Sequence, residues 1–353
     1  MSIKSDYSMK TEIMKCRTFI LGAGFSAAAG VPLTAELLTK AMKRFECECN
    51  GIFQRVDNYA RECFQVKDSE RVDYAAVGFS ELCTFLEYIE LREYGGGERW
   101  SDNGSKEKIN LRYYLAKTLM EMTPEGKDIP PLYIEFAKEL HDKDIVLSFN
   151  WDPLLERALE HVGKEHTYRF EEKKIKLCKL HGSVNWRLGE VKDFLKSPIN
   201  LEWSSMEYTE GMMEVEMYYS SKLLSKTEWF KPNRNPEIDP FLVLPGYGKS
   251  FDVRSNAVMW YKPEFAFAFT HDVYVIGLSL APDDFFIRSY FLNTLPYLSS
   301  MSDIKKRTIH IVNPDVDVYD NYSFITNTQS CVVHCERFDI GHIEHMRTER
   351  EST

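Results

Sequence analysis

Short apolar runs that stop abruptly at a glycine or a polar residue recur along this chain, and they narrow its possible folds more than any other pattern in it. Cys16 to Leu21 (CRTFIL) stops at Gly22, Asp144 to Phe149 (DIVLSF) at Asn150, and Ile175 to Leu180 at His181. Val273 to Ile276 stops at Gly277, and Thr308 to Val312 at Asn313. Runs this short and this continuous read as strands buried on both faces, as in a parallel sheet. Helical patterns lie between them. Leu37, Leu38, Ala41, Met42 and Phe45 share one face of a helix over Thr34 to Phe45. Further helices are expected over 78–92, 109–122, 131–141, 256–270 and 284–298, with a weaker helical pattern over 46–77. Another runs from Asp152 to Val162, with Pro153 in its first turn.

Strands alternating with helices predict an α/β fold, a doubly wound, mostly parallel Rossmann-like sheet. One domain over 1–325 is expected, with a helical insertion at about 46–142 and an irregular, aromatic and methionine-bearing insertion at about 185–240. The segment 94–108 reads as a glycine-rich polar loop, and 326–353 as a C-terminal strand and tail.

Composition excludes several classes. Lys and Arg number 44 against 54 Asp and Glu, a net charge of −10, which argues against broad binding to nucleic acid or anionic membrane. Eight cysteines in 353 residues make no disulfide framework, so reduced thiols in a cytoplasmic protein are expected. The uncharged stretch Thr18 to Ala35 contains Gly22, Gly24, Gly30 and Pro32, which suits a strand and turn better than a membrane span or signal peptide.

Each strand end has a structural and a functional reading. Gly22-Ala23-Gly24-Phe25-Ser26 is either a plain strand-to-helix turn or a place where backbone amides approach a pyrophosphate. Asn150 and Asp152 are either turn and capping residues or ligand contacts. His181 is either structural or a base. Gly277-Leu278-Ser279-Leu280 and Val312-Asn313-Pro314 obey the same logic. In this architecture all five ends face one crevice.

In order and wording, GAGFSAAAGVP, SFNWD, LHGS, GLSL and VN resemble the sirtuin family over about residues 16–315. Two departures stand out. Protein-deacylating sirtuins continue with Asp-Phe-Arg where this chain has Leu33-Thr34, and they carry a four-cysteine zinc ribbon where this chain has no cysteine between His181 and Gly277. Without thiolates that tetrahedral site cannot form. With LPGYGK at 244–249, Trp260 and GLSLAPDD, the chain looks like the bacterial sirtuin-like proteins of antiphage defence that hydrolyse NAD.

The resemblance implies that Gly22, Ala23, Gly24 and Ser26 hold the pyrophosphate of NAD. It implies that Asn150 orients the nicotinamide ribose and the attacking water, Asp152 holds the carboxamide, and His181 acts as general base. Gly277, Ser279 and Asn313 would meet the adenosine half, with Leu278 in place of the family's Thr. Asp284 fits an acidic position of the bacterial branch or caps a helix. The activity implied is cleavage of NAD, the substrate, to ADP-ribose and nicotinamide without a metal. The alternatives are a deacylase or ADP-ribosyltransferase, and a non-catalytic NAD or ADP-ribose sensor. A homo-oligomer is expected, with a regulatory partner such as a nucleic-acid-sensing or ATPase subunit. Cys331, Cys335, His342 and His345 match no standard zinc spacing, so no metal site is expected there.

Overall fold

The computed structural model describes residues 16–92, 106–168, 171–188, 215–217, 240–246, 259–260, 263, 270–281, 284–300, 308–326 and 330–352. In chain order the strands are β1 (Cys16–Leu21), β2 (Ile145–Ser148), β3 (His166–Thr167) and β4 (Ile175–Lys179). Then come β5 (Gly182–Leu188), β6 (Val215–Met217), β7 (Pro240–Leu242), β8 (Thr270–Ile276), β9 (Thr308–Val312) and β10 (Ser330–His334).

Seven of them form one sheet in the order β10-β9-β8-β1-β2-β4-β3, and every pairing in it is parallel. All four residues of β2, and all of β1 after Cys16, are buried, as strands covered on both faces must be. The expected α/β sheet is therefore present. Its register sets where the strand ends fall: Lys179, Ser148, Leu21, Ile276, Val312 and His334 stand opposite one another across six strands. The segments after these residues leave the sheet at one level.

Helices Pro131–Glu139, Leu154–His161, Phe285–Ser300 and Ile340–Ser352 pack on the sheet through Tyr133 and Phe136, Leu154 and Ala158, Tyr290 and Phe291, and Ile343 and Met346. Helices Thr34–Glu48, Asn50–Phe64, Phe79–Arg92 and Lys106–Met122 build a second core around Phe45, Leu86 and Tyr114, which also takes in Val184 and Leu244. Packing thus draws the helical unit differently from the expected 46–142. It starts at Val31 and ends near Met120, because Pro131–Glu139 turns its aromatic face to the sheet.

Two other boundaries shift. Residues 185–188, expected to open an irregular insertion, belong to β5, which pairs antiparallel with β6 and β7 in a separate three-stranded sheet. The expected C-terminal strand is β10, but in place of a tail the chain continues into the helix Ile340–Ser352. Most of the 94–108 loop, most of the 185–240 insertion and most of the 256–270 helix lie outside the described residues.

At the amino end of β1 a buried charge cluster ties the layers together. The Arg17 guanidinium donates to Glu139 Oε1 at 2.8 Å and Asp144 Oδ2 at 2.7 Å, with all three side chains at most 6% exposed. Arg347 from the C-terminal helix reaches Glu139 Oε2 at 3.1 Å and Glu135 Oε2 at 3.0 Å.

Candidate active site

After β1 the chain winds outward through β2 and β4 on one side and returns to build β8, β9 and β10 on the other. The strand order reverses between β1 and β8, and crevices at such reversals are where open α/β sheets hold ligands. The glycines explain how the two turns fit there. Gly22 N–H donates to Ile276 O at 3.0 Å and Gly24 N–H to Gly277 O at 2.8 Å. A Cβ on Gly22 would sit 2.4 Å from Leu278 Cα. Gly277 has φ +63°, and a Cβ there would come within 2.2 Å of Phe25 N. The turns after β1 and β8 are backbone packed on backbone, so part of the glycine pattern is a packing requirement, and the Gly22 and Gly24 amides are engaged by protein carbonyls.

Above these turns lies a cavity of about 730 Å³. Gly22, Ala23, Gly24, Asn150, Asp152, His181, Gly277, Ser279 and Asn313 all line it. Ser26 does not. It lies beneath the wall, 1% exposed, donating its hydroxyl to Asp152 Oδ1 at 3.1 Å and accepting from Asn150 Nδ2 at 3.2 Å. It positions the two residues that reach the cavity.

Asn150 also donates Nδ2 to Gly22 O at 2.9 Å, while its buried Oδ1 has no hydrogen-bond partner among the described residues. An acceptor left bare on a cavity wall is costly unless a ligand or water satisfies it. Asp152 also accepts from Leu154 N–H at 3.1 Å, a side-chain turn that leads into the next helix. Burial pushes its carboxyl above the usual range, and the positive charge of Lys179 opposes that shift. Lys179 is itself buried, donating to the Asp152 carbonyl at 2.7 Å and pairing with Glu156 Oε1 at 3.3 Å. Tyr168 donates to the same Glu156 oxygen at 3.0 Å. This cluster fixes the loop between Asn150 and Pro153 from below.

His181 comes just after β4 and sits edge-on to Phe149, with ring centroids 5.1 Å apart, and 6.1 Å from the Trp260 ring. Its carbonyl accepts from Trp151 Nε1 at 3.1 Å and Val243 N–H at 2.9 Å, so the backbone carrying the imidazole is fixed from two sides. Asn313 is more occupied than the sequence suggests. It donates Nδ2 to Leu278 O at 3.2 Å and accepts from Asp315 N–H at 3.0 Å, bracing the β8 turn. Ser279 is exposed to the cavity. Asp284 accepts from Ile287 N–H at 3.1 Å and caps the helix Phe285–Ser300, while also lining the cavity.

No motif hints at the wall formed by Phe79, Leu119, Arg337 and Phe338. Arg337 and Phe338 come after β10, far along the chain from any glycine turn, and only the sheet order brings them near Phe25. Phe338 packs 5.8 Å from the Phe25 ring. Arg337 is the cation that an anionic ligand would meet on that side.

No family model matches the chain, and no curated protein matches it. Solved structures similar to it along its length include one described as the structural basis of sirtuin substrate affinity, at 15% identity and a TM-score of 0.42, covering 100% of this chain and 99% of that one. Sir2Tm bound to a propionylated peptide matches at 15% identity and a TM-score of 0.39, over 100% of this chain and 98% of that one. A Sir2 homolog–NAD complex matches at 14% identity and a TM-score of 0.39, over 98% and 95%.

Proposed function

We propose that this protein binds NAD in the cavity beside β1 and β8 and hydrolyses it to ADP-ribose and nicotinamide. The observation that carries the reading is the convergence of Asn150, Asp152 and His181 with two glycine turns on one cavity of about 730 Å³. That volume lies within the range of roughly 300–1,000 Å³ typical of small-molecule and cofactor sites. The bare Oδ1 of Asn150 supplies an acceptor for a ribose hydroxyl or a water. The bond between ribose C1′ and the nicotinamide nitrogen breaks with its electron pair going to the pyridine ring. Water oxygen forms the new bond to C1′, and its proton passes to His181. A positively charged leaving ring needs no protonation, so positioning and a base suffice.

Depletion of NAD is the output of the antiphage branch that the motifs resemble, and we assign the chain that role, as a homo-oligomer controlled by a partner protein. Purified protein incubated with NAD and resolved by chromatography tests the activity. Free ADP-ribose and nicotinamide without any acyl-peptide are expected. Product only when acylated peptide is added would make it a deacylase, and NAD retained uncleaved would make it a sensor.

A further inference from the structure

Away from the cavity, the sheet edge and the C-terminal helix bring together imidazoles that are distant in sequence. His310 lies on β9, His334 ends β10, and His345 is on the helix Ile340–Ser352. His310 and His345 rings lie 5.6 Å apart and His310 and His334 rings 5.8 Å apart. His310 is 1% exposed, and neither of its ring nitrogens has a hydrogen bond among the described residues. Two unsatisfied nitrogens this deep are costly and point to something that takes their lone pair.

We propose that His310, His345 and Glu349 form a site for a borderline transition-metal dication of the Zn²⁺ type. His310 Nε2 lies 3.6 Å from Glu349 Oε2, and His345 Nε2 lies 3.2 Å from Glu349 Oε1. Ligands at about 2.0–2.1 Å around a tetrahedral centre stand about 3.3 Å apart, so each imidazole already stands near coordination spacing from one oxygen of the shared carboxylate. Potential ligand atoms of the three residues all fall within 4.8 Å of one another. Two imidazoles and a carboxylate are a donor set that such ions accept. The surroundings also fit: Tyr274 donates its hydroxyl to Glu349 Oε2 at 2.6 Å, holding the carboxylate as outer-shell partners of metal ligands do. The ion would clasp the C-terminal helix to β9. Arg337 and Phe338, on the segment between β10 and that helix, line the cavity, so the clasp would steady one of its walls. The site was hidden in the sequence because two short helical segments and the whole of β10 separate His310 from His345 and Glu349.

The test is metal uptake by the full chain. Protein stripped with a chelator is titrated with Co²⁺, monitored by visible absorbance, and then with Zn²⁺, monitored by elemental analysis and thermal melting. Wild type should take up one equivalent and melt at higher temperature with Zn²⁺. His345→Ala, at a half-exposed position chosen to spare the fold, and Glu349→Gln should each weaken uptake by more than the about 10–100-fold that losing an outer-shell partner costs. Tyr274→Phe should weaken it within that range. No stoichiometric uptake by wild type overturns the proposal. So does unchanged uptake in both ligand variants, including the case where binding is lost only in His342→Ala and belongs instead to His334, Glu336 and His342.

Discussion

Asp152 illustrates how a single residue can serve a site at a cost to the fold. Burial raises its carboxyl pKa. For a raised carboxyl, the stability contributed is fully present below the ordinary carboxylate range, near 4, and is lost as pH rises through the higher folded value. Asp152→Asn keeps an acceptor for Ser26 and Leu154 but cannot ionise. The stability of wild type relative to this variant should therefore fall as pH rises above about 4. Urea midpoints at stepped pH measure it, and a difference that stays flat contradicts it. Asn150→Ala and His181→Ala should each lower NAD cleavage by about 10²–10⁴-fold with unchanged circular dichroism. Wild-type turnover in both would remove them from the chemistry. Gly277→Ala should destabilise by at least about 1–3 kcal/mol, since positive φ strains an Ala even before the Cβ meets Phe25. A denaturant midpoint equal to wild type would mean that the β1 and β8 turns can separate cheaply.

At the level of elements, strands were legible because burial on both faces leaves uninterrupted apolar runs, and their glycine or polar ends mark where the chain turns. CRTFIL and TIHIV needed nothing more. The C-terminal helix was not legible. Its sequence IGHIEHMRTERES buries chiefly Ile343 and Met346, with His342 beside them, too few apolar positions to mark a periodic face, and Arg347 and Arg350 add ion pairs that no periodicity reports. For the same reason Arg337 and Phe338 could not be assigned to the cavity. Strand β5 was hidden by its partners, which lie across the insertion. Ser26 belonged to the recognised motif, yet it works behind the wall. The Arg17 cluster yields the prediction at this scale. Arg17→Met leaves Asp144 and part of Glu139 buried without a counter-charge, and breaking a buried pair costs about 3–5 kcal/mol. Arg350→Ala, at a partner of Glu139 that is 43% exposed, should change stability by no more than about 0.5 kcal/mol. Equal effects would mean that the buried pair carries no special weight.

For the whole molecule, the proposed activity must be restrained, since an unchecked enzyme would strip its own cell of NAD. Overexpression of wild type beyond what a partner can restrain should lower cellular NAD where His181→Ala does not, and light scattering of the purified chain should give a homo-oligomer. The centre of the sheet carries a different consequence, one of timing. The side chains of Thr18 on β1 and Thr270 on β8 meet at 2.7 Å although 252 positions separate them. At synthesis rates of about 5–20 residues per second, β1 leaves the ribosome roughly 10–50 s before its β8 partner exists. It can pair with β2 in that interval, but its other edge stays open, offering unpaired amides and carbonyls to any strand nearby. Nascent chains stalled just short of β8 should accordingly be held by chaperones, whereas chains released beyond β10 should not.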